Sequence, residues 1–206
     1  GQNGLVMHWD GAKWNRLNER LAGDLRAVWG RSRDDIWING CADNFYHWHG
    51  VALSPVSSPV PTGHAGVCPA LWGASANDVS AIGQDQFLRW NGAEWRYEPN
   101  PLKDGDKPLA PKGHVTALWS ATSSSDLWAV GWEEGGIGFD GWPLVLRRRA
   151  GRWAKLPAPR AEGALRGLWG DRDDDIWAVG SKGLILHWDG NRWSKEDSGV
   201  VEQLSS

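Results

Sequence analysis

Sulfur and most aromatic types are scarce in these 206 residues: two cysteines, one methionine, three phenylalanines and two tyrosines. With no Cys-x-x-Cys pair and no histidine at ligand spacing, a zinc site is not expected. Cys41 and Cys68 leave two alternatives open: a bond between adjacent repeats, which belongs to an oxidising compartment, or two separate thiols. No apolar stretch nears the roughly 18–20 residues that span a bilayer, so no membrane span is expected. The N-terminus is polar, carries no signal peptide and starts inside a repeat. Positive charge is thin too. Net charge is −3 and Arg147-Arg148-Arg149 is the only basic run, which argues against a nucleic-acid partner. There is no G-x-S-x-G elbow, P-loop or H-E-x-x-H motif, and helical periodicity is missing apart from one plausible turn within residues 17–26.

Tryptophan, by contrast, is abundant: there are seventeen, fifteen of them on four recurring positions of a repeated segment. Four openings share one pattern: Leu25-Arg-Ala-Val-Trp-Gly30, Pro69-Ala-Leu-Trp-Gly73, Val115-Thr-Ala-Leu-Trp-Ser120 and Leu165-Arg-Gly-Leu-Trp-Gly170. Their tryptophans lie 43, 47 and 50 residues apart. Each is followed by a second apolar run: Asp35-Ile-Trp-Ile-Asn-Gly40, Asp78-Val-Ser-Ala-Ile-Gly83, Asp126-Leu-Trp-Ala-Val-Gly131 and Asp175-Ile-Trp-Ala-Val-Gly180. Alternation, β-branched content and a closing glycine read as strands. A third run ends in Asp10-Gly11, Asn91-Gly92 or Asp189-Gly190, with Trp14, Trp95 or Trp193 just beyond. Such pairs predict tight two-residue hairpins with both central residues at positive φ. Trp48-His-Gly50 and Arg149-Ala-Gly151 stand at the same place in the other two units.

Four short antiparallel strands at this period are the arithmetic of a β-propeller blade. The expected fold is all-β, a single propeller domain over 1–206 with about four and a half blades: a half-blade at 1–22, blades at about 23–64, 65–113, 114–160 and 161–197, and a tail at 198–206. A lone half-blade would expose strand edges. Pairing it with the tail gives a five-bladed closure; otherwise the molecule belongs to a longer propeller, or two copies complete one ring as a homo-oligomer. Two proline-containing segments, 54–64 and 98–112, read as extended surface connectors.

The repeated tryptophans are expected to be mostly scaffold, because each buried ring removes roughly 150–250 Å² from water. Asp35, Asp78, Asp126 and Asp175 are expected to fix turns; the dense run Asp171 to Asp175 lacks the spacing of a calcium loop. The recurring basic residues His8, His47, Arg89, Arg148 and His187 read as solvent-facing groups stacked beside tryptophan. The irregular element is the long loop after Gly131, which holds both tryptophans outside the lattice. Trp132, Glu133, Glu134, Phe139, Asp140 and Trp142 put aromatic faces beside carboxylates, a set that suits a sugar, whose C–H faces pack on rings while its hydroxyls donate to carboxylates. The alternative is a small satellite core. Long loops on rigid scaffolds are where binding resides.

The unit Trp169-Gly…Asp175-Ile-Trp-Ala-Val-Gly180…Leu184-Ile-Leu-His-Trp-Asp-Gly190…Trp193 resembles tryptophan-rich propeller repeats of large bacterial surface and secreted proteins. It is similar to Asp-box and photosystem assembly-factor type propellers. The sialidase Asp-box reads S-x-D-x-G-x-x-W, whereas the motif here is D-G-x-x-W, which removes the ground for carrying over a sialidase activity. The resemblance implies an extracellular or cell-surface setting, and a binding or scaffold role more than an enzymatic one. The expected function is a non-catalytic, lectin-like module without metal or cofactor, its ligand a glycan; a protein-interaction scaffold comes second. A glycoside hydrolase comes third, since nothing marks the two carboxylates that chemistry needs.

Overall fold

The computed structural model describes residues 1–17, 21, 23–40, 44–60, 70–83, 86–104, 107–108, 113–121, 126–135 and 141–204. Cys41, Cys68, Phe139 and Asp140 lie outside the described residues. Strands β1 (Met7–Trp9) and β2 (Trp14–Arg16) form a two-stranded sheet. Four four-stranded sheets follow. The first holds β3 (Leu25–Ser32), β4 (Asp35–Gly40), β5 (Phe45–Trp48) and β6 (Leu53–Val56). The second holds β7 (Ala70–Ser75), β8 (Asp78–Ile82), β9 (Phe87–Trp90) and β10 (Trp95–Tyr97). After a small hairpin of β11 (Lys103–Asp104) and β12 (Lys107–Pro108) comes a sheet of β13 (Gly113–Trp119), β14 (Leu127–Glu133), β15 (Trp142–Arg149) and β16 (Arg152–Lys155). The last has β17 (Leu165–Arg172), β18 (Asp175–Gly180), β19 (Ile185–Trp188) and β20 (Trp193–Glu196). In every sheet the strands neighbour one another in sequence order, which is the meander of a propeller blade. Contacts divide the molecule into two compact units, Gly1–Ser80 with Leu88–Tyr97, and Ala81–Phe87 with Glu98–Ser206.

The glycine that closes each second strand has a backbone cause. Between the first two strands of a sheet the register skips one residue, at Leu25/Ala27, Val115/Ala117 and Leu165/Gly167. These bulges bring a carbonyl oxygen against the closing glycine: a Cβ at Gly40, Gly131 or Gly180 would lie 2.5, 1.8 or 2.2 Å from the oxygen of Asp24, His114 or Ala164. Only glycine fits there.

The Asp-Gly and Asn-Gly turns differ from expectation. Trp9 pairs with Trp14, Trp90 with Trp95 and Trp188 with Trp193, so each turn is a four-residue loop. Only the glycine is at positive φ, 102° at Gly11, 95° at Gly92 and 90° at Gly190. The preceding side chain shapes the loop by accepting two backbone N–H bonds: at Asp189 Oδ1 from Asn191 and Arg192, both 2.8 Å, and at Asn91 Oδ1 from Ala93 and Glu94 at 2.9 and 3.0 Å. These N–H donors, Lys13 first at Asp10 and Arg192 first at Asp189, hold both carboxyls below the usual range. Of the two turns without an Asx residue, His49-Gly50 keeps the four-residue loop, Trp48 pairing with Leu53, and only Ala150-Gly151 makes the tight two-residue turn: Arg149 pairs with Arg152, with φ 48° and 75°.

Further corrections concern connectors. Ser54-Pro-Val56 is not connector but part of β6, where Pro55 sits on an outermost strand and so deprives no ladder of a donor. Segment 98–112 contains the hairpin β11–β12. Helical turns occur at Gln2–Gly4 and Ser181–Gly183, places where none was expected. The tail turns back onto its own sheet, Gly183 N–H donating to Glu202 O and Leu204 N–H to Gly180 O at 2.7 and 2.8 Å.

Within each unit the sheets pack through tryptophan. In the first, Trp37 is fully buried between Trp90 and Trp95, ring centroids 4.9 and 5.2 Å away, and Trp95 also meets Phe45 at 4.6 Å. In the second, Trp128 is fully buried against Trp188 and Trp193 at 5.2 and 6.0 Å. The first-strand tryptophan lies over a glycine of the following sheet, Trp29 over Gly73 and Trp119 over Gly170. Trp9, Trp14, Trp169 and Trp177 of the lattice are instead exposed.

Candidate functional site

The repeated acidic and basic residues are partners of one another. His47 Nε2 is 2.7 Å from Asp35 Oδ1, and His187 Nε2 is 2.9 Å from Asp175 Oδ1. Arg89 donates to both oxygens of Asp78 at 2.7 and 3.0 Å, and Arg147 Nε donates to Asp126 at 2.9 Å. The basic group also lies flat on the second-strand tryptophan: His47 on Trp37 and His187 on Trp177, both at 4.1 Å, and Arg147 over Trp128 at 4.6 Å. In the β13–β16 sheet the residue in this role is therefore Arg147, not Arg148, which is buried and paired with Glu98. The aspartates serve these pairs more than the turns, and His47, Arg147 and His187 are partly buried instead of solvent-facing. The hydrogen bond from His187 is the main reason the Asp175 carboxyl is held below the usual range. Such a device recurs because it locks strand to strand.

The irregular segment looks different. The strands run further than the sequence indicated: β14 extends through Glu133 and β15 starts at Trp142, so Trp132, Glu133 and Trp142 are strand residues. Alternation then separates the candidates. Trp132 stacks on His114, centroids 4.0 Å apart and planes within 9°, and His114 Nε2 is 3.3 Å from Glu134 Oε1. That group repeats the Trp–His–carboxylate arrangement of the lattice. Gly141, at φ 97°, passes so close that a Cβ would lie 2.9 Å from the Trp132 ring. Glu133 and Trp142 are a cross-strand pair, and both line one cavity of about 560 Å³ at the edge of this sheet.

Sequence reasoning missed the rest of this cavity. Lys155, at the end of β16, donates to both oxygens of Glu133 at 2.6 and 2.7 Å. The segment leaving β16, Leu156-Pro-Ala-Pro-Arg160, also lines the cavity. Pro157 and Pro159 restrict the backbone of that segment and bring no N–H donors of their own. Arg160 is exposed and makes no ion pair among the described residues. The available signal was the Pro-x-Pro-Arg that follows the fourth strand only in this unit. The result is an aromatic face and rigid apolar wall beside a mostly buried carboxylate and two cations.

Meander sheets stacked through tryptophan define a β-propeller, and solved structures agree. The protein is similar to YCF48 from Cyanidioschyzon merolae, with TM-score 0.66 and 13% identity over 98% of this chain and 70% of that one. It is similar to the extracellular domain of BT4673 from B. thetaiotaomicron, TM-score 0.66 and 15% identity, covering all of this chain and 27% of that one. The computationally designed Ika8 protein gives TM-score 0.67 and 16% identity over 98% of this chain and 58% of that one. At these identities the likeness is one of fold. The sequence spans well under two thirds of the latter two. No protein-family model matches it, and no curated protein does. No helix of the described residues is long and apolar enough to cross a membrane. Among those residues no three His, Cys, Asp or Glu side chains are grouped to hold a metal ion.

Proposed function

We propose that this propeller is a non-catalytic binding module whose ligand is a carbohydrate held in the Glu133–Trp142–Lys155 cavity. The observation that carries the reading is Trp142: it is 37% exposed and lines the cavity together with the Glu133–Lys155 pair. A sugar ring offers an apolar C–H face for the indole and a hydroxyl rim for the charged pair. Small-ligand sites combine apolar and aromatic walls with a few fixed polar groups in this way. Glu133 is paired with Lys155 and is the one acidic side chain among the described residues lining the cavity, whereas glycoside hydrolysis uses two carboxylates.

Binding of the intact protein to an oligosaccharide array tests the reading, followed by titration of the sugars that bind. Trp142→Ala weakens binding at least tenfold while the fold is retained, since the ring is partly in solvent. Unchanged affinity removes Trp142 from the site.

Protein ligands are a second reading, favoured by the exposed rings of Trp9 and Trp14, which form a tilted pair 5.8 Å apart on one hairpin. Aromatic residues are enriched at protein interfaces. Trp9→Ala with Trp14→Ala leaves sugar binding intact and serves to separate the two.

A further inference from the structure

The cavity has a charge asymmetry that narrows its ligand. Glu133 and Lys155 form a bidentate pair, but the two halves are not equally presented: the Glu133 side chain is 10% exposed and the Lys155 side chain 46%. The carboxylate is sunk in the sheet, where the amine caps both of its oxygens. The ammonium side meets solvent at the cavity wall. Arg160 adds a second exposed cation to the lining, on a backbone stiffened by Pro157 and Pro159. Among the described residues, Glu133 is the only acidic one that lines this cavity. A protein of net charge −3 thus carries a locally positive pocket. Clefts lined by one sign of charge with low-dielectric walls concentrate ligands of the other sign.

Resting on the carbohydrate reading above, we infer that the preferred ligand is an acidic sugar of the hexuronate type, its ring on Trp142 and its carboxylate on Arg160. The guanidinium is a planar fork of N–H donors that matches a carboxylate in bidentate geometry. Lys155, a point charge already committed to Glu133, supplies background attraction. The ring of a hexuronate keeps an apolar face for Trp142 while its carboxylate projects from the ring edge toward the wall. Ligand charge is thereby read by one residue and ring shape by another, so the two contributions separate by substitution.

The test is calorimetric titration of the full-length protein with trigalacturonate, a neutral galactose trisaccharide and a sulfated galactose trisaccharide. Wild type, Arg160→Gln and Trp142→Ala are compared. Trigalacturonate is expected to bind at least fivefold more tightly than the neutral sugar, with the preference weakening in high salt. Arg160→Gln brings the acidic sugar down to the neutral level and leaves neutral binding unchanged; Trp142→Ala weakens both. Equal affinity for acidic and neutral sugars, or a preference that survives Arg160→Gln, overturns the inference while the carbohydrate reading stands. Tighter binding of the sulfated sugar overturns the carboxylate assignment. No binding of any sugar overturns both.

Discussion

Substituting Trp128 by alanine separates lattice tryptophans that hold sheets together from those that merely repeat. Trp128 is fully buried, touches Trp188 and Trp193, and carries Arg147 over its face. A buried indole hides up to about 250 Å², and Trp→Ala in a packed core costs about 3–5 kcal/mol. The aromatic and cation–π contacts place this site at the upper end of that range. Trp169 occupies a repeat position in the same unit but is 61% exposed. Its covered part is on the order of 100 Å², which at about 25 cal/mol per Å² is worth about 2.5 kcal/mol. Urea unfolding monitored by fluorescence reads the difference. With a slope of about 2 kcal/mol per molar, Trp128→Ala lowers the midpoint by about 2.5 M and Trp169→Ala by about 1.2 M. Calorimetry in parallel checks that one transition is being compared. The indole N–H of Trp128 has no hydrogen-bond partner among the described residues, so Trp128→Phe costs far less than the alanine variant. Equal costs for Trp128→Ala and Trp169→Ala refute the reasoning, because burial would then not set the energetics of the lattice.

The turn geometry yields two more substitutions with opposite signs. Ala150 sits at φ 48°, a left-handed conformation that disfavours a Cβ, so Ala150→Gly raises stability by up to about 1 kcal/mol in the same assay. Gly92 is at φ 95° and a Cβ there would lie 2.7 Å from Asn77 Oδ1, so Gly92→Ala destabilises by more than about 1 kcal/mol. Asp175 is held below its ordinary pKa chiefly by His187, so its contribution is complete above the unfolded-state value of about 3.9 and is lost as pH falls through the folded-state value. Unfolding midpoints measured from pH 7 to pH 3 should show the gap between wild type and Asp175→Asn closing below about pH 4.

The blade plan was legible because the sequence repeats one opening at Trp29, Trp72, Trp119 and Trp169, although only some of these rings, such as Trp29 over Gly73 and Trp119 over Gly170, pack on the following sheet. Turn geometry was harder, since Asp-Gly serves both the two-residue hairpin and the four-residue loop. Only the pairing of Trp188 with Trp193 distinguishes them. The ion pairs were half visible. Asp35 and His47 each stood out as repeated, but twelve residues separate them, and their contact exists only once β4 and β5 align Trp37 opposite His47. In the Arg147-Arg148-Arg149 run nothing local tells which arginine faces the tryptophan; register decides, setting Arg147 opposite Trp128. The candidate site was legible in its aromatic side, Trp142, one of the two tryptophans that break the repeat; the other, Trp132, stacks on His114 instead. The site's basic half, Lys155 and Arg160, arrives from a strand and connector that pass for ordinary scaffold in one dimension.

Fluorine NMR of the protein labelled with 5-fluorotryptophan tests the central claim most directly, with resonances assigned by single Trp→Phe variants and trigalacturonate as the added ligand. The Trp142 signal is expected to move on titration while the signals of Trp37, Trp128, Trp169 and Trp177 stay in place. Movement of the exposed lattice rings with Trp142 unmoved, or no movement at any position, contradicts that claim.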